Sequence, residues 1–326
     1  MEKKISVVIP TYRRPALLRK CLISLSKQDM DTSQYEIIVV SDGPDEDTRT
    51  MLNGLTNVSL PFMQYVTLAR NSGPACARNT GWKKAHGTLI AFTDDDCRPG
   101  PSWLSSLWRA YEQSGFAANI AFSGKVVVPL PEHPTDFELN TSHLETADFV
   151  TANCACTKTA LQHVGGFDER FRVAWREDSD LEFKLLEKNF PVRKVNSAIV
   201  VHPVRKARWG ISIAEQRKTM FNALLYKKYP SLFRKKIQRS PAYNYYLIVI
   251  GYLLIMAGLI LQMKSIAVAG ALLCIVLTAA FIIRRLVKTS RSYSHVMEMI
   301  ATSFVIPIAS VYWTLYGAFK YRVLYY

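Results

Sequence analysis

The sequence predicts an α/β domain followed by membrane helices, and three observations carry that prediction. Over roughly the first hundred residues, short apolar runs rich in β-branched residues alternate with segments of helical periodicity. Polar clusters fall at the ends of three of those runs: "TYRR", "SDG" and "TDDD". Beyond Ser240 the chain turns strongly apolar and carries a single acid, Glu298. Strand–helix–strand units of this length favour a parallel sheet with helices on both faces, and ligands of such sheets sit beyond the carboxyl ends of the strands.

Each element follows from local chemistry. "ISVVIP" (5–10) reads as a buried strand ended by proline, and "PALLRKCLISLSKQ" (15–28) as a helix opened by proline. "EIIVVSDG" (36–43) is the second strand, closed by an Asp-Gly turn, with a polar helix from about Asp45. A weaker strand is expected from Gln64 to Leu68, a helix within "GPACARNTGWKKAHG", and a buried strand at "TLIAF" (88–92). Further on, "NIAFSGKVVVPLP" reads as a strand and "TKTALQHVGG" as a short helix closed by glycine. "EDSDLEFKLLEKN" (177–189) is an amphipathic helix with Leu181, Leu185 and Leu186 inward, followed by a strand at "VRKVNSAIVVHP" (192–203).

The run from Tyr243 to Met263 has no charge and is long enough for a hydrocarbon layer of about 30 Å. A second uncharged run covers 266–283; a third, 299–319, holds Pro307 and is either a span or a helix lying in the interface. The formal net charge is +15, and eleven Lys or Arg against one acid, Glu215, fall between Arg205 and Arg239. Basic clusters before the first span and at "RRLVKTSR" (284–291) place both on the cytoplasmic side, and with them the N-terminal domain. "MEKKISVVIPTYRRP" does not fit a signal peptide, because its apolar run is too short. The basic residues lie beside a span without an aromatic base-stacking pattern, which argues for a membrane and against nucleic acid. The six cysteines are scattered or too closely spaced for zinc pairs and read as reduced, non-metal thiols.

Asp94, Asp95 and Asp96 stand at a strand-to-loop transition. Three adjacent carboxylates repel, so they form either an acidic turn that caps the helix near Pro101, or a site for a hard divalent cation. Glu177, Asp178 and Asp180 open a helix, where backbone N–H groups keep carboxylates ionised; they either stabilise the helix alone or supply a general base. Trp175 is core or an apolar wall for a sugar ring. His202 is structural or a metal ligand. Arg78 is a surface arginine or a bidentate partner for a diphosphate.

Taken in order, "SVVIPTYRR", "IIVVSDG", "NSGPACARNTGW", "IAFTDDD", "VGGFDERF" and "REDSDLEFKLL" resemble the family 2 glycosyltransferases, over about Ile5 to His202. The resemblance implies a nucleotide-sugar-binding domain of the GT-A type and an inverting transfer. Thr11, Tyr12 and the adjoining Arg13 match the nucleotide-contacting segment, and Asp42 the acid that reads the base. Arg78 looks like the residue near the donor phosphates. Asp94 and Asp96 match the outer acids of the Asp-x-Asp motif, with Asp96 a direct ligand of Mn2+ or Mg2+, Asp94 near ribose or metal, and Asp95 between them on the donor side. Asp178 looks like the catalytic base and Glu177 lies near the acceptor, with Trp175 and Asp168 on the acceptor side. His202 is similar in placement to a histidine that completes the metal shell in some members. The joined Gln-x-x-Arg-Trp motif of processive synthases is absent: Arg205 stands where the glutamine would precede Arg208-Trp209.

The expected domains are a catalytic one over 1–204, basic juxtamembrane helices over 205–240 and a membrane region over 241–326. The expected function is transfer of a single sugar from a nucleotide-diphosphate donor, UDP by family, to a hydroxyl of a lipid-linked or cell-envelope glycan, by a multi-pass membrane enzyme. Competing readings are transfer to a polyprenyl phosphate, a processive polysaccharide synthase, and an inactive membrane-anchored binding homologue.

Overall fold

The computed structural model describes residues 3–55 and 59–325. The chain divides into two compact units: residues 1–129 with 142–204, and residues 130–141 with 205–326. In chain order the first unit begins β1 (Ile5–Thr11), α1 (Pro15–Leu25), β2 (Tyr35–Ser41), α2 (Glu46–Asn53), β3 (Phe62–Thr67), α3 (Pro74–Lys84) and β4 (Leu89–Phe92). Then come β5 (Arg98–Pro99), α4 (Trp103–Gln113) and β6 (Ala121–Val127). The chain next enters the second unit for α5 (Asp136–Thr141). It returns for β7 (Cys154–Thr157), α6 (Lys158–Val164), α7 (Glu177–Glu187) and β8 (Val192–Val201).

The eight strands form one sheet in the order β3-β2-β1-β4-β7-β6-β8-β5. β3, β2, β1 and β4 run parallel, and β1 and β2 are buried at every position, as the continuous apolar runs require. Odd and even residues divide between two cores. Val7, Ile9, Ile37 and Val39 meet Leu18 and Leu22 of α1 and Trp103 and Leu107 of α4. Val8, Ile38, Val40 and Phe92 meet Ala75 and Ala77 of α3 and Leu181 and Leu185 of α7. Gly81 lets α3 sit directly on β1, since a Cβ there would fall 2.4 Å from Val8 Cγ1.

The parallel pairing expected of the first hundred residues holds for β1 to β4, and the later strands make the sheet mixed. β7 pairs antiparallel with β4 and β6, and β5 antiparallel with β8. "CACT" is too short, and too poor in β-branched residues, to announce a strand; its pairing comes from its two neighbours. It puts the side chains of Cys154 and Cys156 on one buried face of the sheet. The third strand covers Phe62–Thr67 rather than 64–68. On α7 the inward residues are Leu181, Phe183 and Leu185, whereas Leu186 is only half-buried.

The second unit contains α8 (Ile211–Glu215), α9 (Met220–Lys228), α10 (Pro230–Lys236), α11 (Tyr243–Ile260), α12 (Lys264–Leu286) and α13 (Tyr293–Tyr321). The last three helices are long and apolar enough to cross a membrane, including the third, which carries Pro307 inside it. They expose Leu253, Leu259, Leu272, Ile275 and Val276. α11 and α12 approach through small residues: a Cβ at Gly258 would lie 2.4 Å from the Ala267 nitrogen. At the end of α12, buried Arg285 binds Asp136 at 2.9 Å, Thr302 Oγ1 at 2.7 Å, Ser303 Oγ at 3.0 Å and Ser212 Oγ at 3.2 Å. The Ser290 N–H donates to the Pro134 carbonyl at 2.7 Å, a second tie between residues 130–141 and the α12–α13 connection.

Candidate active site

The site lies at the carboxyl ends of β1, β2 and β4, where neighbouring parallel strands deliver sequence-distant residues to one edge. At the end of β2, Asp42 accepts from the backbone N–H of Ser72 at 2.7 Å and of Gly73 at 2.9 Å. Burial raises its pKa, and those two N–H groups oppose the rise. At the end of β1, Thr11 Oγ1 donates to Asp95 Oδ2 at 2.8 Å, and the half-buried Tyr12 ring lies 5.1 Å from the Arg13 guanidinium. Arg13 is exposed and adopts a left-handed backbone (φ 54°), while its N–H donates to Asp45 at 2.6 Å.

The aspartate triplet divides three ways. Asp95 is buried, bonded to Thr11 and paired with Arg14 at 3.3 Å. Burial pushes its pKa up to about 6, against the pull of Arg14 and with a further push from Asp96. Asp94 is partly open and pairs with Arg78 Nη2 at 2.7 Å. Asp96 is buried and lies 3.7 Å from His202 Nε2. The triplet does not cap the following helix: α4 starts after Ser102 and has no side-chain cap.

Asp94, Asp96, Cys97 and His202 each offer a ligand atom, all within 4.8 Å of one another. His202 Nδ1 is buried with no partner among the described residues. Two carboxylate oxygens and an imidazole nitrogen suit Mn2+ or Mg2+, so the residues present fit such an ion. Cys97 is the unexpected member, since its thiol reads as inert from sequence; burial drives its pKa well above the usual thiol value.

The other half of the site opens α7. Arg176 takes a left-handed backbone (φ 74°) as the helix N-cap, and its guanidinium lies 4.5 Å from the Trp175 ring. Glu177 is buried and binds Arg78 Nη1 at 3.1 Å. Asp178 is enclosed by protein yet keeps partial contact with solvent, and accepts from the Ser179 N–H at 2.6 Å. Burial raises the pKa of both carboxyls; Asp178 adds to the rise of Glu177, while Arg78 restrains it and the Ser179 N–H restrains Asp178. Arg78 therefore joins Asp94 to Glu177, and it is 1% exposed rather than a surface residue. Asp168 lies in the α6–α7 loop, where the Arg170 guanidinium clasps it at 2.6 and 2.9 Å.

Arg14 and Cys97 are the residues that sequence reasoning did not assign. Arg14 stands in the quoted "TYRR", but nothing in the pattern tells which arginine pairs with Asp95. Cys97 directly follows the triplet, and only the fold brings it to His202.

A family model described as "Glycosyl transferase family 2" matches residues 6–171. The chain belongs to glycosyl transferase family 2. The match ends before α7, so Glu177, Asp178 and His202 lie outside it. The validoxylamine A glucosyltransferase of Streptomyces hygroscopicus is 26% identical over 65% of this chain and 56% of its own length. The chain thus spans about half the length of the relatives it matches at that level. A GalNAc(5)-diNAcBac-PP-undecaprenol beta-1,3-glucosyltransferase of Campylobacter jejuni is 32% identical over 28% of this chain and 29% of its own. Among solved structures, the mannosyltransferase PcManGT from Pyrobaculum calidifontis, in complex with GDP-Man and Mn2+, matches with a TM-score of 0.59. That match covers 97% of this chain and 88% of the other at 16% identity, a likeness of fold. Members of the family transfer glycosyl groups, and this fold is the GT-A fold.

Proposed function

We propose that this glycosyltransferase moves a single sugar, with inversion, from a nucleotide-diphosphate donor to a hydroxyl of a lipid-linked or cell-envelope glycan. The observation that carries this reading is the side-chain chain Asp94–Arg78–Glu177, which ties a metal-capable group to the carboxyl next to it, Asp178. Thr11, Tyr12, Arg13 and Asp42 receive the nucleotide, with Asp42 facing the base. Asp95 holds that segment through Thr11 and Arg14.

Asp94, Asp96 and His202 would hold Mn2+ or Mg2+, which when bound neutralises charge on a departing diphosphate. Asp178 accepts the proton of the acceptor hydroxyl, which then attacks the anomeric carbon from the face opposite the nucleotide. Its open side gives the hydroxyl access, and the Ser179 N–H fixes the carboxylate's orientation. Glu177 adjoins the acceptor, with Trp175 as an apolar wall for a sugar ring and Asp168 at its margin. The N-terminal unit faces the cytoplasm, α11 to α13 span the membrane, and the basic stretch 205–239 meets anionic headgroups.

The undecaprenol-linked acceptor named for the Campylobacter relative supports a hydroxyl acceptor on a lipid carrier. UDP is the carrier expected from the resemblance, whereas the structural neighbour holds GDP-Man, so both nucleotides belong in the test. A panel of UDP- and GDP-sugars is given to membranes containing the full chain, with Mn2+ or Mg2+ and extracted lipid-linked glycans. Acceptor-dependent release of nucleoside diphosphate from one donor is expected. Release from none of them, beside an active control transferase, overturns the reading.

A further inference from the structure

Arg78 is among the largest fully buried side chains of the catalytic unit, and it does not lie where a surface-facing phosphate ligand would. It rides on α3, which Gly81 presses against β1. Its Nη2 donates to Asp94 at 2.7 Å, 16 residues away, and its Nη1 to Glu177 at 3.1 Å, 99 residues away. The Phe167 ring lies 5.7 Å from its guanidinium carbon, closing a further side. The sequence resemblance put this residue beside the donor phosphates. Both Nη groups donate to carboxylates, however, and the side chain is closed off from solvent, its Nε buried with no partner among the described residues, so a phosphate has no open path to the fork.

A guanidinium fork holds two acceptors at a fixed separation, which a single ammonium cannot do. Here the two acceptors belong to different halves of the site. Asp94 is part of the metal-capable group after β4, and Glu177 begins the helix that carries Asp178. We propose that Arg78 is a positioning residue: it sets the spacing between Asp94 and Glu177, and so between donor half and base half, without touching the donor. This rests on the transfer reaction proposed above. A spacing error at a reacting centre lowers turnover by about 100-fold with little change in binding.

The test uses the full-length protein in detergent, with Arg78→Lys and Arg78→Gln. Calorimetry reads the affinity for UDP and GDP with Mn2+, and steady-state kinetics read donor KM and kcat separately. Nucleotide affinity and donor KM are expected within about 3-fold of wild type while kcat falls about 100-fold, with lysine giving no rescue. A loss of nucleotide affinity of about 30-fold or more would mark Arg78 as a phosphate contact and overturn the proposal. So would recovery of kcat by lysine, which keeps the charge and loses the fork. If the wild type turns over no donor, the reaction reading fails while the affinity measurement still decides Arg78. Should a single variant not fold, Arg78→Met combined with Glu177→Gln removes one buried charge of each sign; because Glu177 adjoins the acceptor, this variant is read by nucleotide affinity, which should stay within about 3-fold of wild type and overturns the proposal if it falls about 30-fold.

Discussion

Thr11 and Asp95 are hydrogen-bonded side chain to side chain at 2.8 Å, across the ends of neighbouring parallel strands. The last register pair is Val8 opposite Phe92; three residues on, Thr11 at the end of β1 meets Asp95 in the loop after β4. This pairing gives the central aspartate of the triplet a role distinct from that of its neighbours. It binds the end of β1 and Arg14 just beyond it to the segment after β4, and leaves Asp94 and Asp96 turned to other partners.

The titration of Asp95 should therefore be visible in stability. Burial raises its pKa from 3.8 to about 6, so the native state holds this proton more tightly than the unfolded chain does. Its contribution to folding is complete below the unfolded value and is lost as pH rises through about 6. Asp95→Asn keeps the acceptor for Thr11 and cannot ionise. In chelator-treated protein, the variant's Tm relative to wild type should climb between about pH 4 and pH 6.5, equivalent to at most ~3 kcal/mol. A pH-independent difference would show that Asp95 ionises like an exposed carboxyl.

Asp178→Asn should lower kcat by about 100- to 10,000-fold, the range general-base removal produces, with nucleotide affinity unchanged. Calorimetry with the nucleotide, beside turnover, separates the two. Near-normal turnover would show that the acceptor needs no base, as a phosphate acceptor would not.

The metal-capable group should respond to Mn2+ without any substrate. Thermal unfolding of the chelated protein is expected to shift upward on adding Mn2+, because an ion that binds only the native state stabilises it. Asp96→Ala should abolish most of that shift, whereas Arg14→Ala should leave it in place. Equal shifts in the two variants would move the ion elsewhere.

Arg285 and Asp136 make a buried pair whose halves are unequal in context, because Arg285 also has three hydroxyl partners. Removing either charge alone strands the other, at a cost of about 3–5 kcal/mol. The double variant Arg285→Met with Asp136→Leu should recover much of the loss. Unfolding in detergent measures the cycle, and additive losses would deny the coupling.

The β1–α1–β2 run and the three long helices were legible because each rests on local chemistry: buried apolar runs, a proline at the helix start, uncharged stretches of membrane length. The convergence of "SDG" and "TDDD" on one edge followed from topology alone. β7 was not legible, since "CACT" acquires strand pairing only from β4 and β6 on either side. Nor could sequence reveal that Arg78 is buried between two acids. A lone arginine on a helix is ordinarily solvated, and only the packing of α3 against β1 and α7 decides otherwise.

Residues 130–141 belong to the unit of the long helices, although β6 precedes them and the rest of the catalytic unit follows. The boundary is therefore crossed three times, near 129, 141 and 204. A soluble version made by stopping at Val204 would keep this stretch and discard what it packs on, leaving Asp136 without Arg285 and the Pro134 carbonyl without Ser290. Excision of a free-standing catalytic part requires three cuts, after Pro129, Thr141 and Val204, and a linker rejoining Pro129 to Ser142.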